Sequence, residues 1–138
     1  MAVTPSALRL PEGMPPPDDG NLLEVRELSK LFPITQGLFK KVVGHVRAVD
    51  GVSFTIPRGK TLGLVGESGC GKTTTSRMIL RAFDPTSGQV LFQDRNLGWV
   101  DVTRLPDQTL RRIRPNMQMI FQDPYASLNP RMTLLEVI

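Results

Sequence analysis

The sequence predicts an α/β fold: a core of alternating strands and helices after residue 60, preceded by an antiparallel, mostly β region, and truncated before the domain is complete. Three observations predict it. From residue 61 onward, apolar runs of strand length alternate with helical patterns, the order that layers helices against a sheet. Before residue 60 the runs are β-rich and are separated by turn signals. At the far end, TLLEVI opens an amphipathic helical pattern and the sequence stops inside it, with no glycine, proline or cap to close it.

Taken in order, residues 1–20 hold five of the twelve prolines and the run PPPDDG, which reads as a flexible leader. Order is expected from Asn21, so that residues 21–138 form the structured part. LLEVREL alternates as a strand, and LFPITQGLFKKVVGH reads as a strand end followed by a loop. HVRAVDGVSFTI gives two β-rich runs around Asp50-Gly51, a dipeptide suited to a tight turn, and IPRGK adds another turn. TLGLVG is short and apolar throughout, as a strand buried on both faces would be. In KTTTSRMILRAF, Met78, Ile79, Ala82 and Phe83 recur at helical spacing and predict an inward face. The stretch from Asp84 to Gly88 breaks that helix. QVLFQDRNL predicts a strand with a turn after it, and LPDQTLRRIR a short helix stopped by Pro115. MQMIF is another apolar run of strand length, and QDPYASLNPRM is loop-like.

Composition narrows the class. At 138 residues the chain suits one domain, and 40% apolar content fits a globular protein. No apolar run approaches the roughly 18 residues that span a bilayer, and the N-terminus lacks the order of a secretory signal. A cytoplasmic location is expected. The single cysteine, Cys70, excludes an intrachain disulfide framework and reads as a small loop residue rather than a catalytic thiol, since no His or Asn partner is evident. The net charge is +4, with part of the excess in RLPDQTLRRIR. No aromatic residues interleave with those arginines, so a solvated helix face is expected and no nucleic acid.

The chemistry lies in GESGCGKT, which satisfies the phosphate-loop pattern G-x-x-x-x-G-K-[ST]. A triphosphate needs several backbone N–H groups converging on its oxygens. Gly66, Gly69 and Gly71 let the chain curl that tightly, with Glu67, Ser68 and Cys70 between them. The helix that follows aims its N-terminal amides at the same anion. Lys72 would reach the β- and γ-phosphates, Thr73 would offer a hydroxyl to Mg²⁺, and Thr74 would contact a further phosphate oxygen. A nucleoside triphosphate with Mg²⁺ is therefore the expected ligand. At the end of the next apolar strand stands Gln122, where parallel α/β sheets meet their ligands. An amide there can bond a Mg²⁺ ligand or an attacking water.

GESGCGKTT together with MIFQDPYASLNPRMT closely resembles the ATP-binding subunits of ABC transporters, specifically the oligopeptide/dipeptide importer group. The resemblance runs over residues 21–138 and implies a P-loop NTPase core of ABC type. It implies that the loop from Gly66 to Thr74 is the Walker A motif and that Gln122 is the Q-loop glutamine at the metal and water. Phe32 falls where that family stacks an aromatic on adenine, with Val49 padding the base. The segment after Gln122 would face transmembrane permease subunits. A second ATP-binding subunit, identical or paralogous, would complete the assembly on the cytoplasmic face of the inner membrane. The family's signature motif, acidic Walker B strand and switch histidine do not occur in this sequence. Its one histidine, His45, lies upstream of the phosphate loop, and Asp84, Asp94 and Asp123 do not form a paired acidic strand end. Three readings follow: the N-terminal part of a peptide-importer ATPase, a stand-alone nucleotide-binding module without hydrolysis, or another phosphate-loop enzyme such as a small-molecule kinase. The Gln122 segment counts against the last.

Overall fold

β-Rich sequence before residue 60 becomes one long hairpin. The computed structural model describes residues 10, 15, 17–37 and 41–120. Strand β1 (Asn21–Gln36) and strand β2 (Lys41–Pro57) pair antiparallel, from Asn21 opposite Pro57 to Gln36 opposite Lys41. The expected antiparallel region is therefore present, with two differences: LFPITQGLFKKVVGH, expected as a strand end followed by a loop, is strand as far as Gln36 and again from Lys41. Asp50-Gly51 does not reverse the chain: Gly51 takes a φ of 59° at an irregularity inside a continuous strand, and its amide donates to Ser29 Oγ at 2.8 Å. A kink absorbed within the ladder keeps the hydrogen bonds that a turn would forfeit. The chain reverses instead between Gln36 and Lys41.

Helix α1 (Lys72–Ile79) follows, then strands β3 (Ser87–Asp94) and β4 (Gly98–Asp101), helix α2 (Asp107–Ile113) and a single 3₁₀ turn (Arg114–Asn116). The sheet order is β2-β1-β3-β4, and every pairing is antiparallel. β3 pairs β1 only from Leu23 to Ser29, so the far half of the hairpin projects as a two-stranded ribbon. Phe32, Ile34, Val42, Val43 and Val46 are exposed on it.

Alternation sorts the sheet. Leu23 and Val25 of β1, Val90 and Phe92 of β3 and Val100 of β4 form the core with Leu110 and Ile113 of α2 and Met78 of α1. Each such fully buried side chain contributes roughly 1.5–3 kcal/mol. The expected inward face of α1 is only partly used: Met78 is fully buried, Ile79 and Phe83 pack at the edge, and Ala82 is exposed because the helix ends at Ile79. Pro115, expected to stop α2, sits inside the 3₁₀ turn, where a missing amide costs little.

Two expected strands are not laddered. TLGLVG runs without a strand partner, leaving Leu62, Leu64 and Val65 exposed. Met117 to Ile120 of MQMIF is likewise unpaired, with Ile120 exposed, and Phe121 lies outside the described residues. Strand formation is a pair property: an apolar run gains its hydrogen bonds only from a neighbour, and neither run has one among the described residues. The expected TLLEVI helix also lies outside them. At the N-terminal side, Asp18 Oδ1 accepts from the Gly20 amide at 2.9 Å, and Arg26 donates to the Pro15 carbonyl at 3.2 Å, so residues expected in the leader touch the sheet.

Asp94 fastens the turn between β3 and β4. Its carboxylate is buried and accepts from the amides of Asn96 and Leu97 and from Asn116 Nδ2, at 2.9, 3.1 and 2.8 Å. Burial pushes its pKa up, but those three donors outweigh it and hold the carboxyl below its ordinary value. The folded pKa lies below the unfolded one, so the stabilisation is complete above the ordinary carboxylate range and disappears as pH falls through the folded value. Asp94→Asn is expected to remove that part of the acid dependence and to cost about 1 kcal/mol at neutral pH. Urea midpoints compared across pH 3 to 7 check it; parallel curves for the two proteins would refute it.

Candidate functional site

Gly71 is the pivot on which the phosphate loop turns into α1. It takes a φ of 93° as the helix N-cap, and a Cβ there would collide with the Ala48 carbonyl oxygen and approach a Val49 methyl at 3.3 Å. The loop thus lies directly against β2, closer than any residue with a side chain allows. Gly69 is also left-handed, with a φ of 85°, and faces open space. At Gly66 a Cβ would stand 2.5 Å from Cys70 Sγ, so the thiol occupies the room this glycine leaves. The Cys70 amide donates to the Glu67 carbonyl at 3.3 Å, closing the turn around Ser68 and Gly69.

The helix start carries no side-chain cap and no acidic residue in its first turn. The amides of Lys72, Thr73 and Thr74 consequently have no intrahelical acceptor, and the positive end of the helix is unopposed. Thr75 is held from within: both its amide and its hydroxyl donate to the Gly71 carbonyl, at 2.8 and 3.0 Å. Ser76 repeats the device on the Lys72 carbonyl at 3.1 Å. These two locks were not foreseen from sequence, although a hydroxyl four residues past a glycine N-cap is their signal.

Lys72 turns back over the loop. Its ammonium donates to the carbonyls of Gly66 and Glu67 at 2.7 and 2.6 Å and lies 3.4 Å from Cys70 Sγ. Among the described residues its three N–H donors have no carboxylate partner, and the charge rests on peptide dipoles. Ser68, Gly69, Gly71, Lys72, Thr73 and Thr74 line an open depression of about 440 Å³. The lining offers amides, hydroxyls and one ammonium, and no carboxylate. That donor set suits a polyphosphate, whose oxygens are all acceptors.

The other sequence-predicted residues fall elsewhere. Phe32 lies on the ribbon, 39% exposed, with its ring edge-on to Phe83 at 5.9 Å and the Lys30 ammonium 5.3 Å from its centroid. The ring is thus partly exposed, although Phe83 was not anticipated as its neighbour. Val49 is buried beneath Gly71, where it supports the loop. Gln122 and Asp123 lie outside the described residues, as does the segment beyond them. No group of three or more metal-ligating His, Cys, Asp or Glu side chains occurs among the described residues, and none of their helices is long and apolar enough to cross a membrane.

A profile described as ABC transporter matches residues 49–137. Over 118 residues the chain is 52% identical to the oligopeptide transport ATP-binding protein AppF of Bacillus subtilis (strain 168), covering 85% of this chain and 34% of that protein. It is 49% identical over 117 residues to the oligopeptide transport ATP-binding protein OppF of the same organism, covering 85% of this chain and 35% of that one. The chain spans about a third of the length of the curated relatives it matches. Among solved structures it is similar to the dimeric MJ0796, a bacterial ABC transporter cassette, with a TM-score of 0.62 at 24% identity over 83% of this chain and 44% of that one. It is also similar to the dimeric post-hydrolysis state of that ATP-binding cassette bound to ADP and Pi, with a TM-score of 0.52 at 25% identity over 67% and 35%.

Proposed function

The chain belongs to the ABC transporter family, and on that premise we propose that it is the ATP-gripping part of an ATPase subunit that powers peptide import across a membrane. The observation that carries the proposal is the donor-only depression at the start of α1. The α- and β-phosphates would lie on the amides from Gly69 to Thr74, and the Lys72 ammonium would leave the Gly66 and Glu67 carbonyls for the terminal phosphates. Phe32, which is partly exposed, would stack on the adenine. The peptide substrate class rests on the similarity to peptide-transport ATP-binding proteins.

Mg²⁺ fits the site through the Thr73 hydroxyl, which is exposed at the mouth of the depression. Bound there with ATP, it supplies charge neutralisation between phosphate oxygens. Thr73 and, from outside the described residues, Gln122 would be the protein's contributions. We assign the segment after Gln122 to contact with transmembrane permease subunits and place the assembly at the cytoplasmic face of the inner membrane, with a second ATP-binding subunit. The dimer of the similar ADP-bound cassette supports that pairing.

Calorimetric titration with Mg–ATP tests the reading. A saturable heat signal is expected, competed by ADP and not by adenosine alone, because the phosphates carry most of the contacts. Absence of any signal at millimolar nucleotide would remove the basis of the proposal.

A further inference from the structure

Helix α1 ends in an arrangement that normally calls for glycine. The Ala82 amide donates to the Arg77 carbonyl at 2.8 Å and the Arg81 amide to the Met78 carbonyl at 2.9 Å. This bond pair requires the left-handed conformation at the residue in between, and glycine is the usual occupant. Here it is Arg81, with a φ of 48°, at a cost of roughly 1–2 kcal/mol that glycine would not incur. Its side chain is only 17% exposed and is engaged through two of its three nitrogens. Nε meets Asp84 Oδ1 at 2.8 Å, and one terminal nitrogen donates to the Leu105 carbonyl and, at 3.5 Å, to the Val102 carbonyl. Arg114, in the 3₁₀ turn, donates in return to the Arg81 carbonyl at 3.5 Å.

The elements joined in this way matter. α1 carries the phosphate loop at one end and Arg81 at the other, and it buries only Thr75 and Met78. Packing alone therefore holds it lightly. Val102 and Leu105 lie in the connection from β4 into α2, whose Leu110 and Ile113 are anchored in the core. We infer that Arg81 is a positioning residue: it ties the rear of the phosphate-gripping helix to the connection ahead of α2, holding the N-terminal amides of α1 in register for the anion. The inference rests on the nucleotide reading above. Lysine could not substitute, because a single ammonium cannot serve a carboxylate and two carbonyls with the reach of a planar guanidinium.

The test compares Mg–ATP affinity, urea midpoint and amide hydrogen exchange at Thr75, whose amide bonds to the Gly71 carbonyl, in the full chain, its Arg81→Gly and Arg81→Lys variants, and Lys72→Ala. Arg81→Gly relieves the strained φ while removing the clamp, so its midpoint is expected to stay near that of the parent. Its affinity is expected to fall about tenfold, with faster exchange at the Thr75 amide. Arg81→Lys keeps the charge beside Asp84 and should also bind more weakly. Unchanged affinity in both variants, or a loss that merely follows the loss of midpoint, would overturn the inference. If Lys72→Ala binds like the parent, the nucleotide reading itself has failed, and that outcome is distinct from a failure of Arg81 alone.

Discussion

Lys72→Ala is expected to reduce Mg–ATP affinity at least a hundredfold while leaving the fold intact. The ammonium would make charge-assisted bonds to the terminal phosphates, each of about 1.5–3 kcal/mol, and every 1.4 kcal/mol is a factor of ten in affinity. Two such bonds therefore account for roughly a hundredfold or more. The stability side runs the other way. In the structure Lys72 bonds to the carbonyls of Gly66 and Glu67 and, more loosely, to Cys70 Sγ, all on an exposed loop. Water replaces the ammonium there at little cost, so the unfolding free energy obtained from the urea curve should change by no more than about 0.5 kcal/mol. Calorimetry and denaturation on the same preparation separate the two effects. Parent-like binding by the variant would mean that the depression beside α1 is not a nucleotide site.

Gly88→Ala is expected to be the most damaging conservative change to the sheet. Gly88 has a φ of 92°, and a Cβ would collide with the Glu27 carbonyl oxygen and lie 2.6 Å from both the Glu27 carbonyl carbon and Leu28 Cα. All of these are backbone atoms, so no rotamer change can make room. The neighbouring strand is already committed. Glu27 has a φ of 47°, and the β1–β3 register shifts between Arg26 and Ser29. Ser53 fastens the irregularity by accepting from the Glu27 amide and donating to its carboxylate, each at 2.8 Å. Overpacking of about 1–3 kcal/mol and left-handed strain of about 1–2 kcal/mol together give roughly 3–4 kcal/mol. A urea midpoint indistinguishable from the parent would show that β1 and β3 are not held at this separation.

The parts legible in the sequence were those decided locally. GESGCGKT specified loop and helix start together because its glycines answer a local steric demand, and Gly71 against Ala48 is that demand realised. β1 and β2 were legible from their β-rich runs, but their lengths were not, since Asp50-Gly51 signals a turn and a bulge equally well. β4 escaped notice because four residues are too few for alternation to register. TLGLVG and MQMIF carried strand composition without strand partners, and pairing is a non-local matter that no window reveals. Arg81 gave no signal, because nothing in ILRAFDP distinguishes a left-handed arginine from a helical one.

The sheet order β2-β1-β3-β4 leaves β2 at one border, a strand that runs from Lys41 to Pro57. A border that long is a template on which nascent copies can dock during synthesis. Val42, Val43 and Val46 supply sticky side chains there, while Lys41 and Arg47 act as gatekeepers among them. Yield in a cell should therefore depend on the charge of those two residues, and neutralising Lys41 and Arg47 together should shift the product toward inclusion bodies.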